Sequence, residues 1–343
     1  VSLQTILIVD DEPANLALMQ TILADSYTLV FARNGAETLA AITKHQPALV
    51  LLDVGLPDIN GYDLCRKIKR LDTAQGLQVI FVTSFADSAH EEAGFEAGGV
   101  DYISKPVLPH IVRARVSAHL SMVRATVLEQ SYRDAILMLG QAGHYNDTDT
   151  GAHIWRMAAY ARLLAQACGW DADRCTQLEL AAPMHDTGKI GIPQDILRKP
   201  GPLDAQEWVV MKTHTQIGCD ILSMSAAPVF KLAAEVALHH HEKWDGSGYP
   251  GGLKGEKIPK SARIVAVADV FDALSMKRPY KEPWAAAKIL DYIQTGAGAH
   301  FEPSLVHIFC DILPQFLDIQ ALWLKVENRQ MLHSPPVLDR PAA

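Results

Sequence analysis

The chain has 343 residues, 49% of them hydrophobic and 20% charged, with a formal net charge of −8. That length favours two domains over one, the composition excludes a disordered chain without a core, and the acidic balance excludes binding of DNA through a broad basic surface. The five cysteines, Cys65, Cys168, Cys175, Cys219 and Cys310, form no CxxC pair, so they read as reduced thiols of a cytoplasmic protein rather than a disulfide framework. No apolar run reaches the length of a membrane span and no signal-peptide pattern opens the chain, so no membrane association is expected. The first residue, Val1, is not an initiator Met, which suggests a trimmed start.

In chain order, Thr5–Val9, Thr28–Phe31, Ala48–Leu52, Gln78–Val82 and Val100–Ile103 read as buried strands. Between them, segments such as Ala14–Asp25, Ala36–Lys44 and Tyr62–Leu71 have helical spacing. Five strand–helix repeats of this kind imply an α/β domain: a five-stranded parallel sheet covered on both faces by right-handed crossovers. Polar residues fall at the strand ends, where such sheets bind ligands: Asp10 and Asp11, Asp53, Thr83 and Ser84, and Lys105. Three converging carboxylates repel one another, and Mg²⁺ would offset that repulsion while accepting phosphate oxygen and water. An Asp after a strand is also a common helix cap, but capping does not account for polar residues at four strand ends together.

Ile-Val-Asp10-Asp11-Glu, Leu-Leu-Asp53-Val-Gly-Leu-Pro, Val-Thr83-Ser and Asp-Tyr102-Ile-Ser-Lys105-Pro106 resemble the flavodoxin-like receiver domain of two-component response regulators, over residues 1–122. The resemblance implies that Asp53 accepts a phosphoryl group from a sensor histidine kinase, and that Asp10, Asp11 and Asp53 hold Mg²⁺. It further implies that Thr83 and Lys105 contact the phosphoryl group while Tyr102 acts as an aromatic switch. Positioned cations and donors are what phosphoryl transfer needs most.

From Leu108 the pattern is helical without a turn cluster, so a linker helix over 123–140 is expected to join the domains and to offer a seam for a homodimer. Residues 141–330 read as an all-α domain. Asp204-Ala-Gln-Glu207 has the form of a capping box opening a helix that carries Met211 and His214. Pro259–Met276 is apolar almost all round, as in a buried helix. The segment 331–343 is rich in proline and polar residues and reads as a disordered tail.

The helical domain collects His153, His185, Asp186, His214, His240, His241 and Asp269. A single histidine on an apolar helix is more often a hydrogen-bonded core residue than a ligand. Asp269 resists such a reading, because a carboxylate in Ile264-Val-Ala-Val-Ala-Asp269 is costly to bury unless paired or metal-bound. Mixed imidazole and carboxylate donors without thiolates suit Fe, Mn, Ni, Co or Zn rather than a structural zinc site. Two ions bridged by an Asp would clamp both oxygens of an in-line displacement at phosphorus and supply hydroxide near neutral pH. Lys189, three residues after Asp186, would lie on the same side and neutralise a phosphoryl oxygen.

His185-Asp186-Thr-Gly-Lys189, His240-His241-Glu-Lys-Trp-Asp-Gly-Ser-Gly248-Tyr249-Pro250, Ala-Asp269-Val-Phe-Asp272-Ala-Leu and Arg278-Pro-Tyr280-Lys281 resemble the HD superfamily of phosphohydrolases, in its HD-GYP branch. The resemblance implies a response regulator that hydrolyses cyclic di-GMP to pGpG, and on to GMP, by attack of metal-bound hydroxide on phosphorus. It makes the seven His and Asp residues above ligands of two transition ions, Fe or Mn foremost, with Asp186 and Lys189 at the reaction centre. Lys189, Gly248, Tyr249, Pro250, Asp272, Arg278 and Lys281 would face substrate, and GGDEF-type cyclase proteins are further partners it brings to mind. The Gly-Tyr-Pro loop fits packing against guanine and recruitment of a partner equally well.

Some family members carry a Glu four residues before the first His ligand, holding a third metal; here that position is Asp149, one methylene shorter. A two-metal centre without Asp149 is therefore expected. The rival readings are an enzyme acting mainly on linear pGpG, an HD phosphohydrolase acting on another nucleotide, and a non-catalytic dinucleotide-binding module.

Overall fold

The computed structural model describes residues 4–74, 76–84, 88–144, 152–276 and 282–328. Asp149, Arg278, Lys281 and the tail 331–343 lie outside the described residues. The chain divides into two compact units, Val1–Ser131 and Tyr132–Ala343.

The first unit is built on β1 (Thr5–Val9), β2 (Thr28–Ala32), β3 (Leu49–Asp53), β4 (Gln78–Thr83) and β5 (Asp101–Ser104), all parallel in the order β2-β1-β3-β4-β5. This is the doubly wound, flavodoxin-like order, with its switch point between β1 and β3. Helices α1 (Pro13–Leu23), α2 (Gly35–His45), α3 (Gly61–Lys69) and α4 (Ser88–Glu96) alternate with the strands, and α5 (Pro109–His144) follows them. The expected strands and helices are present, their ends displaced by one or two residues.

Side chains alternate across the sheet. Leu7, Val9, Val50 and Leu52 enter one core with Leu64 and Ile68 of α3. Ile6, Ile8, Leu49 and Leu51 enter the other with Ile22 of α1 and Val112, Val116 and Leu120 of α5. Because both faces are covered, the strands read as unbroken apolar runs. Local caps set the helix starts: Asn34 accepts from the Glu37 N–H at 2.9 Å, and Asn60 from the Tyr62 N–H at 2.9 Å.

Helix α5 runs on past the division between the units. Its later turns belong to the second core, where Ile136, 1% exposed, packs with Ala181, Met184 and Leu222. The second unit continues with α6 (Ala152–Ala167), α7 (Ala172–Ala181), the short α8 (Gln194–Leu197), α9 (Ala205–Lys212), α10 (His214–Leu222) and α11 (Pro228–His239). Then come α12 (Lys260–Ser275), α13 (Ala286–Thr295), α14 (Pro303–Asp311) and α15 (Leu313–Asn328). Helix α12 is buried over most of its length. Its Phe271 meets Tyr160, Phe309 and Phe316 at ring separations of 5.1, 5.8 and 5.1 Å, an aromatic core that fixes α12 against α6.

The expected capping box opens α9: Asp204 accepts from Glu207 N at 2.9 Å and Glu207 Oε2 accepts from Asp204 N at 2.7 Å. That helix does not carry His214, which is a correction to the sequence reading. It ends at Lys212, the Thr213 hydroxyl donates to Val210 O at 2.6 Å, and His214 opens α10.

Candidate phosphoacceptor crevice and metal centre

In the first unit the register sets the strand ends level: Val9 pairs with Leu52, Asp53 with Val82, and Thr83 with Ser104. Asp10, Asp11 and Asp53 therefore converge, each offering an oxygen within 4.8 Å of the others. Lys105 Nζ donates to Asp53 Oδ2 at 2.8 Å and to Asp10 Oδ2 at 2.9 Å. Burial pushes the Lys105 pKa down, but the two carboxylates outweigh it and hold the ammonium above its usual range. Asn15 Nδ2 donates to Asp10 Oδ1 at 3.0 Å, fixing that carboxylate. Thr83 is buried at the end of β4. Tyr102, on the adjacent β5, has Phe95 at 6.3 Å and the Arg115 guanidinium over its ring at 5.7 Å. An all-oxygen, carboxylate-rich donor set fits Mg²⁺.

In the second unit the expected ligands converge from separate elements. His153 stands on α6, His185 and Asp186 between two short 3₁₀ turns (Ala182–Met184 and Thr187–Gly191), His214 at the start of α10, His240 and His241 after α11, and Asp269 on α12. They form two donor groups: Asp186, His214, His240 and His241, and His153, His185 and Asp269. Asp186 joins them. Its Oδ1 lies 3.3 Å from His214 Nε2 and 3.6 Å from His240 Nε2, while its Oδ2 lies 3.2 Å from His185 Nε2. His153 Nε2 is 3.7 Å from Asp269 Oδ1, and His185 Nε2 is 4.0 Å from it.

This convergence depends on a close approach at Gly188. A Cβ there would fall 1.8 Å from His214 O and 2.4 Å from Gly218 N, so only glycine lets the turn after Asp186 lie against α10. Backbone acceptors set the ring orientations. Nδ1 of His185 faces Ala182 O at 2.9 Å, that of His214 faces Met211 O at 2.7 Å, and that of His240 faces Ala237 O at 3.0 Å. With Nδ1 as donor, each Nε2 lone pair is turned toward the centre.

The Nε2 atoms of His214 and His240 are buried and make no hydrogen bond. Such lone pairs are costly unless a cation takes them. Burial holds the His214 pKa down to about 4, and holds those of His185 and His241 below the usual imidazole range. Neutral imidazoles with two carboxylates and no thiolate fit borderline divalent ions such as Fe and Mn.

Lys189 lies on the expected side, with Nζ 2.8 Å from Asp186 Oδ2. The Gly-Tyr-Pro loop forms one wall: the Tyr249 ring is 4.8 Å from that of His241, and Lys212 Nζ sits 5.2 Å over it. Glu242, which no sequence motif singled out, pins this loop. It is 2% exposed and accepts from Gly251 N at 2.7 Å and Leu253 N at 2.9 Å. Gly248 is needed because a Cβ would meet Lys243 N at 2.3 Å.

Asp272 is a correction. Expected against substrate, it is 1% exposed and points into the protein, accepting from Arg156 Nε at 2.8 Å and Nη2 at 3.1 Å and meeting His153 Nδ1 at 2.5 Å. The i,i+3 step from Asp269 carries it past the donor groups to the back of His153. Arg156 was also missed. Its signal is an arginine inside the apolar run Ile154-Trp-Arg156-Met-Ala-Ala-Tyr160.

The response regulator receiver domain family matches residues 6–117, and the HD domain family matches residues 123–305. A probable cyclic di-GMP phosphodiesterase of Vibrio cholerae is 38% identical over 357 residues, covering 94% of this chain and 81% of that one. The cyclic di-GMP phosphodiesterase response regulator RpfG of Xanthomonas campestris pv. campestris is 37% identical over 323 residues, covering 88% of this chain and 85% of that one. A 3'3'-cGAMP-specific phosphodiesterase 2 of Vibrio cholerae is 43% identical over 194 residues, covering 57% of this chain and 37% of that one. Among the described residues no single helix is long and apolar enough to cross a membrane. With an Asp-lined crevice at the end of a parallel sheet and a His–Asp centre in a helical unit, the chain belongs to the family that joins a response regulator receiver domain to an HD domain.

Proposed function

We propose that the chain is a response regulator that hydrolyses cyclic di-GMP to pGpG, under control of phosphorylation at Asp53 by a sensor histidine kinase. The observation that carries the hydrolytic reading is Asp186, whose oxygens face a different donor group each: Oδ1 toward His214 and Oδ2 toward His185, 3.3 and 3.2 Å away. His153, His185 and Asp269 would hold one ion and His214, His240 and His241 the other, with Asp186 between. Such a pair of ions polarises phosphoryl oxygens and lowers the pKa of water.

The chain's own residues orient and enclose the substrate. Lys189, anchored on Asp186, supplies a positive charge to a phosphoryl oxygen as charge develops there. Tyr249 and the loop held by Glu242 form a wall beside His241 that excludes water from one side. Arg278 and Lys281 follow α12 in sequence and would add charge for the second phosphate. In the first unit, Lys105 and Mg²⁺ held by Asp10, Asp11 and Asp53 would take up the charge of the aspartyl phosphate. Thr83 and Tyr102 would respond to it, and α5 would carry the change onward.

Identity to a relative named for 3'3'-cGAMP favours a second substrate of the same shape, differing in one base. The deciding experiment presents the Mn²⁺-loaded chain with cyclic di-GMP, 3'3'-cGAMP and pGpG separately, with His185→Ala as control. The expected result is the highest kcat/KM on cyclic di-GMP, abolished by the substitution. Preferred turnover of 3'3'-cGAMP or pGpG reassigns the substrate, and binding without hydrolysis contradicts an enzyme.

A further inference from the structure

Behind the metal centre lies a second, deeper charge arrangement that the reaction itself does not use. His153 and Arg156 stand one turn apart on α6, and Asp269 and Asp272 one turn apart on α12. The outer residue of each helix, His153 or Asp269, belongs to the three-donor group. The inner ones, Arg156 and Asp272, meet each other at 2% and 1% exposure. Arg156 grips Asp272 through Nε and Nη2 at 2.8 and 3.1 Å, and the same carboxylate accepts His153 Nδ1.

The other ligand histidines with a described Nδ1 partner are treated differently. His185, His214 and His240 each turn Nδ1 to a backbone carbonyl. A carboxylate behind an imidazole fixes its tautomer and strengthens it as a donor; a neutral carbonyl does so less. An arginine on that carboxylate sets the opposing pull, since it fixes both oxygens and draws charge away from the histidine. A buried ion pair is weak as a stabilising device, because an apolar replacement is often as stable. Its buried location behind His153 calls for another role.

We propose that Arg156 and Asp272 are a positioning pair for His153 that sets how tightly the His153–His185–Asp269 group holds its ion, so that the halves of the centre load unequally. This rests on the metal-centre reading above. Neither residue touches substrate; both act through the His153 ring.

The test titrates the full chain with Mn²⁺ and follows free Mn²⁺ by electron paramagnetic resonance, comparing wild type with the double variant Arg156→Met/Asp272→Asn. The variant removes both charges of the pair together, and the asparagine oxygen still accepts His153 Nδ1–H. The wild type is expected to hold two ions. The variant should hold one at wild-type affinity and the second about 10–100-fold more weakly. Two ions at unchanged affinity in the variant overturn the inference while leaving the centre intact. A wild type that takes up no ion overturns the metal-centre reading, and the inference with it. Should the double variant not fold by circular dichroism, Arg156→Lys carries the test, since it keeps the charge and loses the fork. A several-fold change in affinity confined to the second ion supports the pair, and unchanged loading refutes it.

Discussion

Glu242 Oε1 accepts a 2.7 Å hydrogen bond from the backbone of Gly251, and by this contact the segment after the paired histidines is tied to the end of its own loop. The second oxygen does the same for Leu253 N at 2.9 Å. Glu242→Gln removes one acceptor and sets an amide N–H against a backbone N–H. A buried unsatisfied donor costs about 1–3 kcal/mol. Since Glu242 is not itself among the grouped metal donors, the expected outcome is a KM for cyclic di-GMP raised several-fold with ion content unchanged. Steady-state kinetics with parallel metal analysis checks it; loss of ions instead would make Glu242 part of the centre.

Gly188→Ala should act in the opposite way. Its added Cβ falls 1.8 Å from His214 O, backbone against backbone, with no flexible side chain to yield. Forcing the turn away from α10 costs at least the ~1–3 kcal/mol typical of overpacking and moves Asp186 from His214. A lowered thermal midpoint and loss of metal content together are expected. A variant that keeps both would show that the turn tolerates displacement.

How much of this was legible in the sequence differs between residues. The strands were readable because a sheet buried on both faces leaves an unbroken apolar run, as in the four residues before Asp53 in β3. The grouping of the seven His and Asp residues was readable because they occur as a set, although each taken alone has an ordinary core use. The break before α10 was not, since helical spacing continues through Thr213 and only its backbone and hydroxyl reveal the end. Asp272 was misassigned because a spacing of three from Asp269 gives a helix face but not its depth. Glu242 and Arg156 escaped because their partners are backbone amides in one case and a residue on another helix in the other.

In the first unit, Asp101 gives a pH prediction. Burial raises its pKa, but hydrogen bonds from Arg115, His119 and Tyr102 N–H outweigh this and hold the carboxyl below its usual range. A carboxylate depressed on folding adds stability above its unfolded value, about 3.9, and that stability is lost as pH falls through the lower folded value. Hydrogen exchange in β5 and the start of α5 should therefore quicken on acidification below about pH 4. In Asp101→Asn it should be faster at neutral pH and depend less on acid. Equal acid sensitivity in both would remove Asp101 as the cause.

Phosphorylation should act through the crevice of Asp10, Asp53 and Lys105. Beryllofluoride, a phosphoryl mimic, is expected to change the turnover of cyclic di-GMP or the oligomeric state of the chain, and Asp53→Asn to abolish the response. No change in either property would contradict control through the receiver unit.

The most direct test counts ions against turnover. Metal-free full-length chain is titrated with Mn²⁺, and cyclic di-GMP hydrolysis is measured at each bound stoichiometry. The bridging position of Asp186 between His214 and His185 predicts that hydrolysis appears with the second ion per chain. Full hydrolysis with one ion, a requirement for three tightly held ions, or two bound ions without hydrolysis would each contradict a dinuclear phosphodiesterase centre.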